Sequence, residues 1–122
     1  MRMATIIAPL TFSVALGLSP ALAQTGGYSA GDLLSPCQEA DNDARWGEAA
    51  ETECEQYIMG FVGALAATDA GSAAGICPPD VNTADEIRWA FMRWVHASYS
   101  ARRAMPANEA LLSTLKDSFA CN

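Results

Sequence analysis

The chain has few of the residues that carry catalysis or bind metals. Its 122 residues include a single histidine, His96, and no two of its four cysteines stand at Cys-x-x-Cys spacing. A thioredoxin-like redox site and a zinc knuckle therefore lack their usual ligand spacing. A lone histidine with no recognisable nucleophile beside it does not make a catalytic pair. The sequence predicts no enzyme, no cofactor and no metal site.

Long apolar runs are also missing, and the one apolar run present lies near the start of the chain. It extends from Ile6 to Leu18 and is preceded by Met1 and Arg2. Small residues around Ala21 and Ala23 follow it. A run this short falls below the ~20 residues that span a bilayer, and the small residues match a signal-peptidase site. We predict a cleaved secretory signal peptide at residues 1–23 and a single helical domain at residues 24–122, located in the periplasm and free of the membrane after cleavage.

Basic residues are scarce, with seven Lys and Arg against 14 Asp and Glu and a formal net charge of −7. An acidic chain of this size is a poor ligand for nucleic acid, so nucleic acid is excluded as a partner. The densest acidic stretch, residues 39–55, is interpreted either as a solvated loop or as a docking surface for a basic partner.

Helical periodicity dominates what remains. Ser29 and Asp32 predict the start of a first helix, and residues 38–53 are predicted to form a loop. Thr83 and Glu86 predict a capping box for a third helix. Pro106 is predicted to be the first residue of a fourth helix. The apolar positions of the second helix fall on one face, and they are Cys54, Tyr57, Ile58, Phe61, Val62 and Leu65. The corresponding stripes are Ile87, Ala90, Phe91, Trp94 and Val95 in the third helix, and Leu111, Leu112, Leu115 and Phe119 in the fourth. The predicted fold is all-α, a small four-helix up-and-down bundle.

The four cysteines permit three pairings, and the up-and-down path favours one of them. Cys37 closes the first helix and Cys54 opens the second, so both fall at one end of the bundle. Cys77 leaves the second helix at the other end, where the fourth helix brings Cys121. We therefore predict the disulfides Cys37–Cys54 and Cys77–Cys121.

Arginines and aromatic side chains gather beside the apolar stripe of the third helix. Trp, Tyr and Arg are the residues that most often dominate interface energy. The alternative for each of them is ordinary packing with arginine stems laid along the surface. The predicted partner-binding residues are Trp89, Arg93, His96, Tyr99, Arg102 and Arg103.

Ordered motifs around the cysteines resemble those of the Rap/Tai immunity proteins. They are Leu33-Leu34-x-x-Cys37, Cys54-x-x-Tyr57-Ile58-x-Gly60, Ile76-Cys77-x-Pro79, Met105-Pro106-Ala107 and Phe119-Ala120-Cys121. The resemblance implies a periplasmic homodimer that binds a peptidoglycan amidase effector of a type VI secretion system and blocks it, protecting the cell from self-intoxication. It also implies that residues 89–105 make the contact. The alternative function is a small periplasmic acid-stress-type chaperone or an envelope binding protein.

Overall fold

The computed structural model describes residues 27–41 and 47–122, and it is all-α as predicted. The predicted signal peptide at residues 1–23 lies outside the described residues. Within the described residues, four long helices form the bundle and two single-turn helices extend it. Their bounds are α1 Ala30–Glu39, α2 Gly47–Ala67, α3 Ala70–Ala73, α4 Thr83–Ala97, α5 Tyr99–Arg102 and α6 Ala107–Ser118.

The core lies where α1, α2, α4 and α6 meet. Its largest fully buried side chains include Leu33, Ile58, Phe91, Leu111 and Leu115. The predicted stripe of the third helix is confirmed, except that Trp94 is half-buried. In α2 the burial fades along the helix, because Cys54 and Ile58 are fully buried whereas Tyr57, Phe61, Val62 and Leu65 are only partly so. The second half of α2 therefore presents apolar surface that the bundle does not cover.

The predicted loop at residues 38–53 is largely wrong. Residues 38–39 form the last turn of α1, and residues 47–53 form the first two turns of α2. Alanine and glutamate are good helix formers, so residues 48–53 are helical although they are exposed or only half-buried. Gly47 allows the close approach of the two helices, because a Cβ at this position would lie 2.9 Å from the Ala40 carbonyl oxygen.

Two of the predicted helix starts also differ from the structure. Asn82 is the residue before α4, has φ 50° and makes no side-chain hydrogen bond to the helix. The Thr83 hydroxyl donates to the Pro79 carbonyl at 2.7 Å, so the predicted capping box does not form. Pro106 is the residue before α6 rather than its first residue. The third predicted helix is also divided at Ser98, where φ −148° and ψ 58° separate α4 from α5.

Both predicted disulfides are confirmed. Cys37–Cys54 joins α1 to α2 with its Cα atoms 5.0 Å apart, and Cys77–Cys121 joins the segment after α3 to the end of the chain with its Cα atoms 4.9 Å apart. The sequence separations are 17 and 44 residues, so chain entropy assigns the bridges about 3 and 4 kcal/mol of stabilisation. That is a large share of the roughly 5–15 kcal/mol by which small domains are stable.

The N-terminus of α1 is held by the connection between α5 and α6. The amide groups of Ala30 and Gly31 donate to the carbonyls of Met105 and Arg103, at 2.8 and 2.9 Å. These are the first two amides of the helix, which have no partner within it. A Cβ on Gly31 would lie 3.2 Å from the Arg103 carbonyl oxygen, so glycine permits this contact. The contact fixes residues 103–105 on the surface of the bundle.

Pro36 lies inside α1, where it has no amide hydrogen to give to the Asp32 carbonyl. The Tyr28 hydroxyl lies 3.4 Å from that carbonyl oxygen and 2.8 Å from the Glu53 carboxylate, to which it donates. Burial first, and then this hydrogen bond to Glu53, raise the Tyr28 pKa. Tyr28 thus joins α2 to the point where Pro36 interrupts the hydrogen bonding of α1.

The capping box at Ser29 and Asp32 gives the domain an acid-sensitive contact. Hydrogen bonds from the Ser29 amide, at 2.9 Å, and from its hydroxyl, at 2.7 Å, lower the Asp32 pKa below its usual value of 3.8. A carboxyl whose pKa is lower in the folded state stabilises the fold above its unfolded pKa and loses this effect as the pH falls through its folded pKa. We expect Asp32→Ala to destabilise the protein at pH 7, and the difference from wild type to shrink below pH 3.8. Urea unfolding at pH 7 and at a pH below 3.8 measures the free energy of unfolding of both proteins. Asp80→Ala, at an exposed position, is the control and should show no such change with pH. A difference that is constant with pH would contradict it.

Candidate partner-binding surface

The exposed face of α4 carries three of the predicted contact residues in line. Trp89, Arg93 and His96 follow i, i+4, i+7 spacing and are all exposed, because the opposite face of the helix holds Phe91 and Val95 in the core. Trp89 leaves 44 % of its surface accessible. The rest of the ring is covered, and the buried Arg88 guanidinium lies 5.2 Å from its centroid.

Helix α5 extends this line. The Tyr99 ring stacks on the His96 ring with centroids 5.7 Å apart and an angle of 14° between the planes, and the Arg103 guanidinium lies 5.6 Å from the Tyr99 ring centroid. The break at Ser98 turns the chain so that these contacts form. We call the set Trp89, Arg93, His96, Tyr99 and Arg103 the α4–α5 strip.

Arg102 has a different environment from the strip. It is half-buried, its guanidinium lies 3.9 Å from the centroid of the Trp94 ring, and it donates to the Trp94 carbonyl. The Trp94 indole in turn donates to Asp117 at 2.8 Å. These contacts fasten α5 to α4 and α4 to α6. The structure thus gives Arg102 an internal role, and its predicted contact with a partner stays a prediction.

A groove lies between the C-terminal end of α1 and the exposed face of α4. It has a volume of about 360 Å³ and is lined by Gln38, Asp41, Trp89, Met92, Arg93 and His96. The Gln38 amide lies 2.7 Å from His96 Nε2 and closes one side. Three residues of the α4–α5 strip thus form one wall of this α1–α4 groove. A concave surface beside exposed aromatic and arginine side chains suits the insertion of a side chain from a partner.

Arg88 fixes the two walls of the groove relative to each other. It is only 4 % exposed and is the sole charged side chain that is buried among the described residues. Its guanidinium binds Asp85 on its own helix at 2.7 Å and Asp41 at 3.1 Å, and it donates to the Cys37 carbonyl at 3.3 Å. Burial lowers the Arg88 pKa, but the bonds to Asp85 and Asp41 raise it more, so the group stays charged.

The hydrogen bond from Arg88 to the Cys37 carbonyl also places a positive charge near the C-terminal, negative end of α1. α1 has no basic residue in its last turn, and a cation near a helix C-terminus is favourable because it meets the free carbonyls of that end. Arg88 supplies this cation from a different helix. It therefore connects the stability of α1 with the position of the groove.

Sequence reasoning placed the exposed residues of this surface but missed its second wall. Because residues 38–53 were predicted to form a loop, the prediction did not place Gln38 on α1 or Asp41 beside α4. Arg88, which directly follows the buried Ile87, has no role in the sequence prediction. An arginine at a core position, with acidic residues three before it and in a preceding turn, is the signal that would have indicated a buried ion pair.

A second exposed feature is the far half of α2. Met59 is 41 % exposed, and a Cβ added at Gly60 or Gly63 would meet nothing within 4 Å.

The described helices include none that is long and apolar enough to cross a membrane. Within residues 27–41 and 47–122, no group of three or more His, Cys, Asp or Glu side chains could hold a metal ion.

The fold defines a small helical protein with two disulfides. The sequence model of the Rap1a immunity proteins matches residues 29–121. The chain belongs to this family, which confirms the resemblance found in its motifs. It is an immunity protein, the partner of a secreted effector, which indicates an inhibitor rather than an enzyme. Neither a curated protein nor a solved structure matches the chain.

Proposed function

We propose that this immunity protein acts in the periplasm, where it binds and inhibits a peptidoglycan amidase effector of a type VI secretion system. The effector would otherwise cut the cell wall of the cell that makes it. Inhibition requires no chemistry from the immunity protein, because a bound protein that fills the substrate cleft is sufficient. The observation that carries the proposal is the α4–α5 strip, which is exposed, rich in aromatic and arginine side chains, and inside the segment that matches the family.

The strip has the composition of an interface centre. Trp89 and Tyr99 offer large rigid surfaces, and Arg93 and Arg103 offer several hydrogen-bond donors each. A stable complex buries about 1,600 Å² in total, or some 800 Å² on each partner, which is more than the strip alone provides. We infer that the α1–α4 groove and the segment up to Met105 complete the contact.

Export is part of the proposal, with residues 1–23 as the cleaved signal peptide and residues 24–122 as the mature domain. The two disulfides support it, because such bonds persist in oxidising compartments and are rare in the cytosol. The mass of the protein recovered from the periplasmic fraction tests this directly. We expect a chain that starts at Gln24 and carries no free thiol.

A protection assay tests the function in cells. A peptidoglycan amidase effector of a type VI secretion system is directed to the periplasm of a host, with or without the immunity protein. We expect lysis without it and normal growth with it. A version that lacks residues 1–23 stays in the cytoplasm and should give no protection, and protection by that version would contradict the periplasmic site of action.

We also propose that the protein forms a homodimer, and the far half of α2 is the surface that supports this best. It is apolar, rich in small residues and partly uncovered, and small residues allow helices to pack closely. The free space at Gly63 makes a sharp test possible, because Gly63→Gln fits the monomer and replaces a residue that costs up to about 1 kcal/mol in a helix.

We expect Gly63→Gln to leave the fold intact and to convert the dimer into a monomer in sedimentation equilibrium. Glu109→Gln, on α6, is the matched control and should stay dimeric. A dimer of unchanged strength in Gly63→Gln would exclude this face, and a monomeric wild type would exclude the dimer.

A further inference from the structure

The two disulfides of this protein differ sharply in their surroundings. Cys37 and Cys54 are each 0 % exposed and lie in the core with Leu33 and Ile58. Cys77 and Cys121 are both exposed. A dithiol attacks a disulfide along the line of the sulfur atoms, so it needs access to one of them. The bridge in the core offers that access only after the bundle opens.

From this contrast we propose that Cys77–Cys121 is a site of thiol–disulfide exchange on the folded protein, and that its chemical partner is a dithiol, either a small reductant or the cysteine pair of an oxidoreductase. Cys37–Cys54 does not take part while the protein is folded.

The exchange occurs in two balanced steps. One thiolate of the dithiol attacks one sulfur of the bridge, forms a mixed disulfide with that cysteine, and releases the other cysteine as a thiolate that takes up a proton. The second thiol of the dithiol, as its thiolate, then attacks the mixed disulfide and releases the first cysteine. Cys77 and Cys121 end as two thiols, and the dithiol ends as its oxidised cyclic disulfide or as the disulfide of the oxidoreductase.

Backbone hydrogen bonds keep the site in place after the bridge opens. The Cys77 amide donates to the Phe119 carbonyl at 2.8 Å, and the Cys121 amide donates to the Gly75 carbonyl at 2.9 Å. Ile76 pairs with Ala120 between them and is itself 3 % exposed. These contacts do not involve sulfur, so the two thiols stay adjacent and the bridge can form again when an oxidant returns.

The remaining disulfide preserves the part of the molecule that carries the candidate site. Cys37–Cys54 holds α1 against α2, and the α1–α4 groove is lined only by residues near the end of α1 and on α4. Opening Cys77–Cys121 therefore changes the connection between α3 and the C-terminus without breaking a bond at the groove. The partly reduced protein should remain a folded bundle.

The test is a time course with dithiothreitol on the oxidised mature chain in native buffer, quenched with N-ethylmaleimide and mapped by peptide mass spectrometry. We expect Cys77 and Cys121 to be labelled at least about tenfold faster than the core pair, because global opening is populated in only about one molecule in a thousand or fewer. The far-UV circular dichroism of the doubly labelled species should stay helical. In guanidinium chloride both bridges should react at similar rates.

Two results would overturn the proposal, namely labelling of Cys37 and Cys54 first, or loss of both bridges at the same rate in native buffer. The variant Cys77→Ser/Cys121→Ser provides a second measurement on a chain that carries only the core bridge. If it is helical and its core bridge is reduced as fast as in guanidinium chloride, burial does not protect that bridge and the proposal is wrong. If it does not fold, the wild-type time course still decides between the outcomes.

Discussion

Arg88→Ala is expected to lower the free energy of unfolding by about 2–4 kcal/mol, below the 3–5 kcal/mol typical when one partner of a fully buried ion pair is removed. The smaller value follows because Asp41 and Asp85 keep 45 % and 47 % of their side-chain surface and can be hydrated once the cation is gone. The substitution also removes the donor to the Cys37 carbonyl and the packing of the arginine stem. Urea unfolding followed by circular dichroism measures the effect.

Two further variants test whether the stabilisation by Arg88 comes from its several hydrogen bonds or from its charge alone, and whether it is specific to this position. Arg88→Lys keeps the cation but cannot reach Asp41, Asp85 and the Cys37 carbonyl together, so we expect a loss between those of wild type and alanine. Arg93→Ala, one turn further along the exposed face of the same helix, should change stability by no more than about 0.5 kcal/mol. Equal losses in Arg88→Ala and Arg93→Ala would show that the buried network does not stabilise the bundle.

Trp89→Ala is expected to weaken binding of the effector by about 2–4 kcal/mol, which corresponds to roughly 30- to 1,000-fold in Kd. Trp89 lines the α1–α4 groove and is 44 % exposed. The stability of the free protein should fall by no more than about 1 kcal/mol, because the ring is not part of the core and its contact with the Arg88 guanidinium is at 5.2 Å. Titration calorimetry with the effector, alongside urea unfolding of the variant, separates the two quantities.

The control for Trp89→Ala is Lys116→Ala, at an exposed position on α6 away from the strip. It should bind with unchanged affinity. If Trp89→Ala binds as tightly as wild type while Met59→Ala on α2 loses affinity, the contact surface lies on α2 and not on the α4–α5 strip.

Most of the fold could be predicted because local patterns and global packing agree. The buried positions of α4 and α6 repeat at helical spacing, and the up-and-down path brings the cysteines together in pairs. The pairing was correct although Cys54 lies two turns inside α2 rather than at its start. The errors fell where helix formation depends on tertiary contacts. Residues 47–53 are polar and read as a loop, yet they continue a helix whose start is positioned by the contact of Gly47 with Ala40.

The candidate site could be predicted only along one helix. Trp89, Arg93 and His96 share a face by spacing alone, so their proximity needed no structure. Gln38 and Asp41 are more than 40 residues away in the chain and reach α4 through the bundle and the Arg88 ion pair. Sequence spacing carries no information about such a contact, which depends on how α1 packs against α4.

The proposed function is inhibition of a peptidoglycan amidase, and the direct measurement is hydrolysis of purified peptidoglycan by a type VI secretion amidase effector. The release of new amino groups is followed as the mature immunity protein is added. We predict that the rate falls to background at one equivalent of wild-type protein, and that Trp89→Ala requires a large excess for the same effect. An unchanged rate at saturating wild-type protein, with no complex in size-exclusion chromatography, would contradict the proposal.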